Sequence, residues 1–217
     1  NKYFKKDLES SLGKKIKIMN DANCFTLSES IDGAGKDYKG VFGVIIGTGL
    51  GSGLSYDNKI IEGVNQVAGD WGHQPLPYPT EEEMKTDINC LVPNCKKKLC
   101  AEQFISGPGF EKIFNNTYNT KYTSSEIVQL DLQGDKNADR ELNLYEDRLA
   151  RLIAIMIGVF DPEVIILGGG MSNIERLYKN IPKVIPKYIF SDKVRNKILK
   201  NKHGDSSGVR GAAWLWN

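Results

Sequence analysis

The chain has 217 residues, of which 40% are hydrophobic and 26% charged, and its formal net charge is +2. This composition is typical of a globular protein with one large domain or two lobes. Because charges of both signs are interspersed, nothing points to nucleic acid, and we expect a small-molecule partner. The longest apolar run, Leu152 to Phe160, is too short to span a membrane. With no signal peptide expected at the start, we predict a cytoplasmic protein.

The first predicted elements are a helix, a strand and a second helix. Apolar residues on one face predict a helix from Lys2 to Leu12. Lysines alternating with apolar residues predict a strand from Lys15 to Met19, and a helix follows to about Ser30. Asp21 lies where the strand meets this helix, a position that favours an acidic N-terminal cap. Alternatively, Asp21 is a general base that takes the proton of a substrate hydroxyl, as carboxylates do in phosphoryl transfer.

The segment from Val41 to His73 contains the strongest signal. An apolar run, Val44 to Ile46, is followed by glycine at every second position from Gly47 to Gly53 and then by further apolar residues. We expect strand, glycine-rich turn and strand, followed by a hairpin turn at Asp57-Asn58 and a third strand. Glycine lets backbone N–H groups approach an anion closely, and Thr48 adds a hydroxyl, so a phosphate cradle is predicted. The alternative is a glycine-rich hairpin without a ligand.

Two commoner glycine motifs do not fit this segment. The dinucleotide fingerprint G-x-G-x-x-G opens a helix, but counting from Gly47 and Gly49 the third position is Ser52, and the following residues alternate like a strand. A Walker phosphate loop requires Gly-Lys followed by Ser or Thr, which the sequence lacks.

A candidate metal site follows the hairpin. His73, one of two histidines, precedes a proline-rich loop, and Cys90, Cys95 and Cys100 come soon after. A chain of this length without a secretion signal favours metal binding or free thiols over disulfides. By ligand type the four residues could form a closed tetrahedral zinc site. Such a zinc would be structural and would hold the loop carrying Glu102 against the strand carrying His73. The alternative is three free thiols in a lysine-rich loop.

The second half of the chain is mostly helical by prediction. Helices are expected from Glu102, with a break at Ser106 to Gly109, and from Ser124 to Gln133. An apolar stripe at 3.6-residue periodicity predicts a long helix from Leu142 to Phe160, which Asp161-Pro162 ends.

A second glycine-rich turn lies near the end of the chain. Val164 to Leu167 reads as a buried strand and Gly168 to Gly170 follow directly. Ser172 and Glu175 form an S-x-x-E capping box that predicts the start of a helix. Strand, glycines and capped helix together form a place where a nucleotide can lie. A short helix through Ala212 to Trp216 closes the chain.

Together these motifs resemble the ROK family of sugar kinases, over essentially the whole chain. In order, they are Asn20-Asp21-Ala22-Asn23-Cys24, Gly47-Thr48-Gly49, Gly69-x-x-Gly72-His73, Cys100-x-Glu102, Ser106-Gly107, Asp161-Pro162 before Gly168-Gly169-Gly170, and His203-Gly204-Asp205 to Arg210-Gly211-Ala212-Ala213. The stretches AGDWGHQPLP, ILGGGMSN and KHGDSSGVRGAAWLW are most similar to the bacterial fructokinase (mannofructokinase) branch. N-acetylglucosamine kinases are close relatives of that branch.

The resemblance implies an α/β fold of the actin-like, ribonuclease-H-like (hexokinase-type) two-lobed kind, with ATP in the cleft and a hexose beside it. Asp21 would match the base that deprotonates the sugar hydroxyl on C6 for attack on the γ-phosphate, and Mg²⁺ would bridge the phosphates. The residues that would match sugar ligands are Asn20, Asp70, His73 and Glu102. Gly47, Thr48 and Gly49 would face the ATP phosphates, and Gly168, Gly169 and Gly170 the adenosine. His73, Cys90, Cys95 and Cys100 would match the structural zinc site.

The predicted function is therefore an ATP-dependent hexose kinase that phosphorylates fructose or mannose. N-acetylglucosamine is the alternative substrate. A sugar-sensing transcriptional regulator of the same family is an alternative from another class, and a degenerate remnant without activity is a third. Because members of the family are often dimers, we expect a homodimer.

Three departures from the family pattern qualify these expectations. Asp70 stands where the family usually has glutamate, whose side chain is one methylene longer. Pro93 takes the place of the first cysteine of the family's C-x-C-x4-C cluster, so Cys90 could replace it only if the loop bends back. The family's N-terminal phosphate loop would lie upstream of the match to Asn1. We therefore expect 1–38 with 205–217 to be the remnant of an N-terminal lobe, 39–204 an intact C-terminal lobe, and this chain to be weakly active or inactive alone.

Overall fold

The fold is built around a five-stranded mixed sheet in the order β3-β2-β1-β4-β5. The structure is a computed structural model that describes residues 3–86, 90, 92, 95, 97–191 and 193–216. The strands are β1 Gly40–Ile46, β2 Leu50–Tyr56, β3 Lys59–Ile60, β4 Val164–Gly168 and β5 Lys197–Lys200. β1, β2 and β3 form an antiparallel meander, whereas β4 and β5 run parallel to β1.

Helices cover both faces of this sheet. They are α1 Phe4–Leu12, α2 Asp21–Ile31, α3 Glu81–Met84, α4 Glu102–Ile105, α5 Gly107–Tyr118, α6 Ser124–Leu132, α7 Lys136–Phe160, α8 Arg176–Val184 and α9 Ser207–Trp214. In the described part of the chain, no helix combines the length and the apolar character that crossing a membrane requires.

The predicted glycine-rich hairpin is confirmed. Residues of β1 and β2 pair in register from Gly40 opposite Tyr56 to Ile46 opposite Leu50, so a three-residue turn joins the strands. The turn into β3 places Asp57 and Asn58 at φ values of 48° and 60°. Two consecutive positive φ values are typical of the tight hairpin turn that the sequence predicts here.

The two faces of β1 and β4 enter different cores because successive side chains of a strand point in opposite directions. The main core is built by the even-numbered side chains of β1, by Ile165 and Leu167 of β4 and by the apolar face of α7. A smaller cluster on the other face joins Val41 and Ile166 to Phe25 of α2. Each fully buried side chain of this kind contributes about 1.5–3 kcal/mol to folding.

Several glycines allow α2 to lie directly against the hairpin and against α9. A Cβ added to Gly43 would lie 2.2 Å from Oγ1 of Thr26, and one added to Gly53 would lie 2.8 Å from the same atom. A Cβ on Gly211 of α9 would lie 1.7 Å from the carbonyl oxygen of Cys24. Gly53 therefore permits close helix packing and is not part of an anion cradle.

One predicted strand is wrong. Lys15 to Met19 forms no strand, and Ile18 is 51% exposed. A strand needs a neighbour for its backbone hydrogen bonds, and among the described residues none pairs with this segment. The predicted helix start at Lys2 lies outside the described residues, and the predicted division into lobes stays a prediction.

The predicted capping box is also wrong. α8 begins at Arg176, and Ser172 lies in a 3₁₀ turn, Gly170–Asn173, before it. The Ser172 hydroxyl donates to the carbonyl of Gly169 at 2.6 Å instead of capping the helix. Gly169 has a φ of 79°, so the chain turns sharply after β4, and Ser172 closes that turn.

Candidate functional site

A cleft of about 400 Å³ lies where the β1–β2 turn meets the start of α2 and the start of α4. It is lined by polar side chains and by the glycine-rich turn. The structure brings to this cleft Asn20, Asp21, Gly47, Thr48, Gly49, Asp70, His73 and Glu102. These are the residues for which the sequence predicts base, sugar and phosphate contacts. Gly168, Gly169 and Gly170 are not among its lining residues.

Asp21 is the first residue of α2, and its neighbour Asn20 is the N-cap. Oδ1 of Asn20 accepts hydrogen bonds from the backbone N–H groups of Ala22 at 2.9 Å and Asn23 at 3.3 Å. Oδ1 of Asp21 accepts from the N–H of Ala22 at 2.9 Å, while its side chain stays exposed in the cleft. Asn20 is thus the N-cap, and Asp21, at the first helical position, keeps its carboxylate in the cleft while it accepts from the first turn.

The turn between β1 and β2, residues Gly47, Thr48 and Gly49, is called the phosphate turn below. Its ends are fixed by backbone bonds: Gly47 donates to the carbonyl of Gly49 at 3.0 Å, and Gly107 donates to the carbonyl of Gly47 at 2.9 Å. Among the described residues, nothing accepts from the N–H groups of Thr48 and Gly49. A Cβ added to Gly47 would meet no atom within 4 Å. The turn is thus open and offers two free backbone donors, as an anion cradle does.

Glu102 lies behind the phosphate turn, at the start of α4. Its Oε2 accepts from the N–H of Leu50 at 3.0 Å, and its own N–H donates to the carbonyl of Gly72 at 2.9 Å. The residue is only 8% exposed, yet it lines the cleft. Its other carboxylate oxygen, Oε1, accepts no hydrogen bond from the described part of the chain. Glu102 can therefore accept from a ligand while it holds the turn.

His73 and the three cysteines meet at one point. Nδ1 of His73 lies 3.3 Å from Sγ of Cys100 and 3.7 Å from Sγ of Cys90, and Sγ of Cys95 lies 4.0 Å from Sγ of Cys100. One donor atom from each of the four residues lies within 4.8 Å of all the others. Cys90 therefore lies at the cluster, while Pro93 lies outside the described residues.

This donor set fits a zinc ion. Zinc bonds of about 2.1–2.3 Å to nitrogen and sulfur place the corners of a tetrahedron about 3.4–3.8 Å apart, and the donor separations of 3.3, 3.7 and 4.0 Å lie near that range. Burial raises the pKa of the Cys100 thiol to about 12, and the neighbouring Cys90 and Cys95 thiols add to the shift. A hydrogen bond from the backbone of Lys97 instead lowers the pKa of Cys95. A dication is the group that stabilises several adjacent thiolates.

One stretch of the cleft wall is missing from the sequence prediction. Gln66, Val67 and Ala68 also line the cleft. Their loop is flanked by Gly63 and Gly69, at φ values of 71° and 84°. Flanking glycines that take left-handed conformations are the signal that could have marked this loop as a tight, ordered element.

The second glycine run has less room for a ligand than its sequence suggests. A Cβ on Gly168 would lie 2.5 Å from the ring of Phe25, and one on Gly169 would lie 2.5 Å from the carbonyl oxygen of Ile46. Gly170 is open and lines a separate cavity of about 180 Å³. That cavity is also lined by Ser124, Ser125, Val128, Gln129, Met171, Asn173 and Ile174.

Gly107 lies between the two cavities. A Cβ added to it would lie 3.3 Å from the carbonyl oxygen of Gly47, which lines the cleft. The same Cβ would lie 3.7 Å from Oγ of Ser124 and 3.8 Å from Sδ of Met171, which line the smaller cavity. Of these contacts only the one to the carbonyl oxygen of Gly47 is tight, so Gly107 lies within contact distance of residues that line each cavity.

Comparison with known proteins gives consistent matches. The model of the ROK family matches residues 1–217. The N-acetyl-D-glucosamine kinase of Vibrio atlanticus is 44% identical over 214 residues, which are 99% of this chain and 71% of that protein. The N-acetyl-D-glucosamine kinase of Aliivibrio fischeri is 41% identical over 98% of this chain and 70% of its own length.

Solved structures agree with the family match. The ROK hexokinase of Thermus thermophilus has a TM-score of 0.83 at 23% identity, covering 98% of this chain and 69% of that one. A ROK family glucokinase from Streptomyces griseus, in complex with glucose and AMPPNP, has a TM-score of 0.79 at 25% identity, covering 97% and 71%. The predicted α/β fold of the actin-like kind is confirmed. The predicted fructokinase branch is not supported, because the Vibrio atlanticus and Aliivibrio fischeri relatives are N-acetyl-D-glucosamine kinases, named for the alternative substrate.

Proposed function

This chain belongs to the ROK family, and we propose that it is an ATP-dependent sugar kinase that phosphorylates N-acetylglucosamine. One observation carries the proposal: a single cleft gathers an exposed carboxylate, four more polar side chains and an anion cradle. The choice of sugar is supported by relatives 44% and 41% identical that are N-acetyl-D-glucosamine kinases. Fructose and mannose are the second candidates, since the stretches AGDWGHQPLP and ILGGGMSN resemble the fructokinase branch.

In the proposed reaction Asp21 is the general base. Its carboxylate accepts the proton of the sugar 6-hydroxyl as that oxygen attacks the γ-phosphorus of ATP, while the bond from this phosphorus to the bridging oxygen breaks and ADP leaves. Asn20, Asp70, His73 and Glu102 bind the other sugar hydroxyls and orient the attacking oxygen. Such positioning accounts for much of the rate in phosphoryl transfer, where the protein does little covalent chemistry.

The phosphate turn binds the other substrate. The free N–H groups of Thr48 and Gly49 donate to phosphate oxygens, and the Thr48 hydroxyl adds a third donor. Mg²⁺, when bound with ATP, offsets the negative charge that develops on the phosphates. The adenosine lies in the smaller cavity at Gly170, and the phosphates reach the turn past Gly107.

The zinc site is structural in this proposal. His73, Cys90, Cys95 and Cys100 would hold the ion, and because all four tetrahedral positions are then filled by protein, none is left for water or substrate. The imidazole faces the cysteines through Nδ1 while His73 also lines the cleft. Nε2 of the same ring is then the atom that contacts the sugar.

The test is ATP-dependent phosphorylation of N-acetylglucosamine, N-acetylmannosamine, fructose, mannose and glucose, run in parallel on the complete gene product and on the 217-residue chain. We expect N-acetylglucosamine to have the highest kcat/KM. A higher value for fructose or mannose would replace the proposed substrate and keep the kinase. Sugar binding by calorimetry without transfer to any sugar by the complete gene product would contradict the kinase and favour the sugar-sensing regulator. The expected homodimer is checked by light scattering on the same preparation.

A further inference from the structure

We propose that Glu102 couples the sugar site to the phosphate turn. The inference rests on the proposed function, because it assigns the sugar to the cleft that Glu102 lines. It adds a second role to a residue predicted only as a sugar ligand. One carboxylate oxygen, Oε2, holds the N–H of Leu50 at the end of the turn. The other, Oε1, is the acceptor left for a sugar hydroxyl.

The first step of the argument is that one segment holds both ends of the phosphate turn. Glu102 accepts from the backbone after the turn, at Leu50. Gly107 donates to the first residue of the turn, at the carbonyl of Gly47. The two anchors are close in sequence and are joined by the bond from the N–H of Ser106 to the carbonyl of Glu102, at 2.9 Å. A movement of Glu102 therefore acts directly on the turn.

The second step is the close approach of the Glu102 side chain to Gly49. A Cβ added to Gly49 would lie 2.8 Å from Oε2 of Glu102, closer than real Cβ contacts allow. The carboxylate thus occupies the space that any other residue at position 49 would fill. Glycine at position 49 therefore leaves room for the Glu102 carboxylate, in addition to keeping the phosphate turn open.

The third step is the backbone contact between Glu102 and the segment that carries His73. Its N–H donates to the carbonyl of Gly72, next to His73. Glu102 as a residue is only 8% exposed, so its carboxylate contacts few solvent molecules, and a hydrogen bond from a ligand to Oε1 changes its environment strongly. A sugar bound to His73 and Glu102 therefore fixes the carboxylate that positions the N–H donors for the phosphates. Sugar and nucleotide should then bind with positive coupling.

The test compares two alanine substitutions in the same turn. The dissociation constant of N-acetylglucosamine is measured by calorimetry, without nucleotide, for the wild type, Gly49→Ala and Gly47→Ala. Gly49→Ala pushes the carboxylate away and should weaken sugar binding about tenfold, the loss of one charge-assisted hydrogen bond. Gly47→Ala places its methyl in open space and should weaken it far less. Equal sugar affinity in the wild type and Gly49→Ala overturns the inference and leaves the proposed function intact.

A second readout measures the coupling itself. The affinity for a non-hydrolysable ATP analogue with Mg²⁺ is measured with and without saturating N-acetylglucosamine. The sugar should tighten nucleotide binding in the wild type and in Glu62→Gln, which removes an exposed carboxylate that does not line the cleft. It should have little effect in Glu102→Asp, whose shorter side chain withdraws from Leu50. Unchanged coupling in Glu102→Asp overturns the inference, whereas a wild type that binds no sugar overturns the proposed function and the inference with it.

Discussion

Nδ1 of His73 lies 3.3 Å from Sγ of Cys100, and His73 lines the same cleft as Asp21. The two segments that carry this pair are also joined through their backbones. Leu76 donates to the carbonyl of Leu99 at 2.7 Å, and Pro75 and Cys100 form a β-bridge. The metal cluster and the wall of the proposed sugar site are therefore one structural unit.

We expect the protein to bind about one zinc ion per chain through this cluster. Cys100→Ser should abolish zinc binding and weaken the affinity for N-acetylglucosamine, because the loop no longer holds His73 and Glu102 in place. Cys24→Ser is the matched control, since Cys24 is buried in α2 and takes no part in the cluster. Zinc content is measured by mass spectrometry and sugar affinity by calorimetry for both variants. Wild-type zinc content in Cys100→Ser would contradict the proposed ligand set.

The two outer glycines of the run 168–170 should behave differently. Gly168→Ala places a methyl group against the ring of Phe25 and should destabilise the fold by about 1–3 kcal/mol. Gly170→Ala meets no atom within 4 Å and should leave the unfolding midpoint nearly unchanged while it weakens nucleotide binding. Thermal unfolding and nucleotide titration separate the two effects. A stable Gly168→Ala variant with weakened nucleotide affinity would place the adenosine at Gly168 after all.

A buried ion cluster fixes the loop after His73 to α7. Glu83 is 3% exposed and accepts from Nε of Arg148 at 2.8 Å and Nη2 of Arg151 at 2.7 Å. Burial opposes ionisation of Glu83, but hydrogen bonds from Arg151 and Arg148 outweigh it and lower its pKa to about 2. Glu83→Gln should cost about 3–5 kcal/mol near neutral pH, because it leaves buried arginine charge uncompensated.

The sign of the pH dependence follows from the lowered pKa of Glu83. The unfolded chain takes up this proton near pH 4.3 and the folded chain near pH 2, so the stabilisation is complete above about pH 4.3 and is lost between there and pH 2. The difference in unfolding free energy between the wild type and Glu83→Gln should shrink over that range. Glu81→Gln, on the exposed side of the same helix, is the control and should differ little from the wild type at any pH. If the difference in unfolding free energy between the wild type and Glu83→Gln stayed constant down to pH 2, the lowered pKa assigned to Glu83 would be contradicted.

Substitutions of Asp70 test how side-chain length at this position affects sugar binding. It lines the cleft and is exposed, so a longer side chain can be accommodated. Asp70→Glu, which restores the residue usual in the family, should tighten sugar binding several-fold, whereas Asp70→Asn should weaken it. Calorimetric titration with N-acetylglucosamine measures both. Weaker binding in Asp70→Glu would mean that the cleft is built for the shorter side chain.

Much of the site could be predicted from the sequence because local chemistry determines it. The turn at Gly47 to Gly49 follows from glycine spacing, and capping preferences predict the helix start to within one residue, although the N-cap is Asn20 and not Asp21. The strand predicted at Lys15 to Met19 failed because alternation describes a strand's faces but not whether a partner lies beside it.

Other features depend on contacts between residues far apart in the chain. Glu102 reaches Leu50 across 52 positions, and Phe25 fills the space beside Gly168. Neither contact leaves a pattern within a local window of sequence. The same holds for β5, whose lysines resemble a solvated surface although Ile198 packs into the main core.

The most direct test of the central claim is the rate of phosphate transfer from ATP to N-acetylglucosamine in the wild type and Asp21→Asn, with sugar affinity measured on the same preparations. If Asp21 is the general base, the rate should fall by about 10²–10⁴-fold while the dissociation constant for the sugar changes only a few-fold. Equal transfer rates in the two proteins would contradict the assignment of Asp21 and, with it, the proposed chemistry of the cleft.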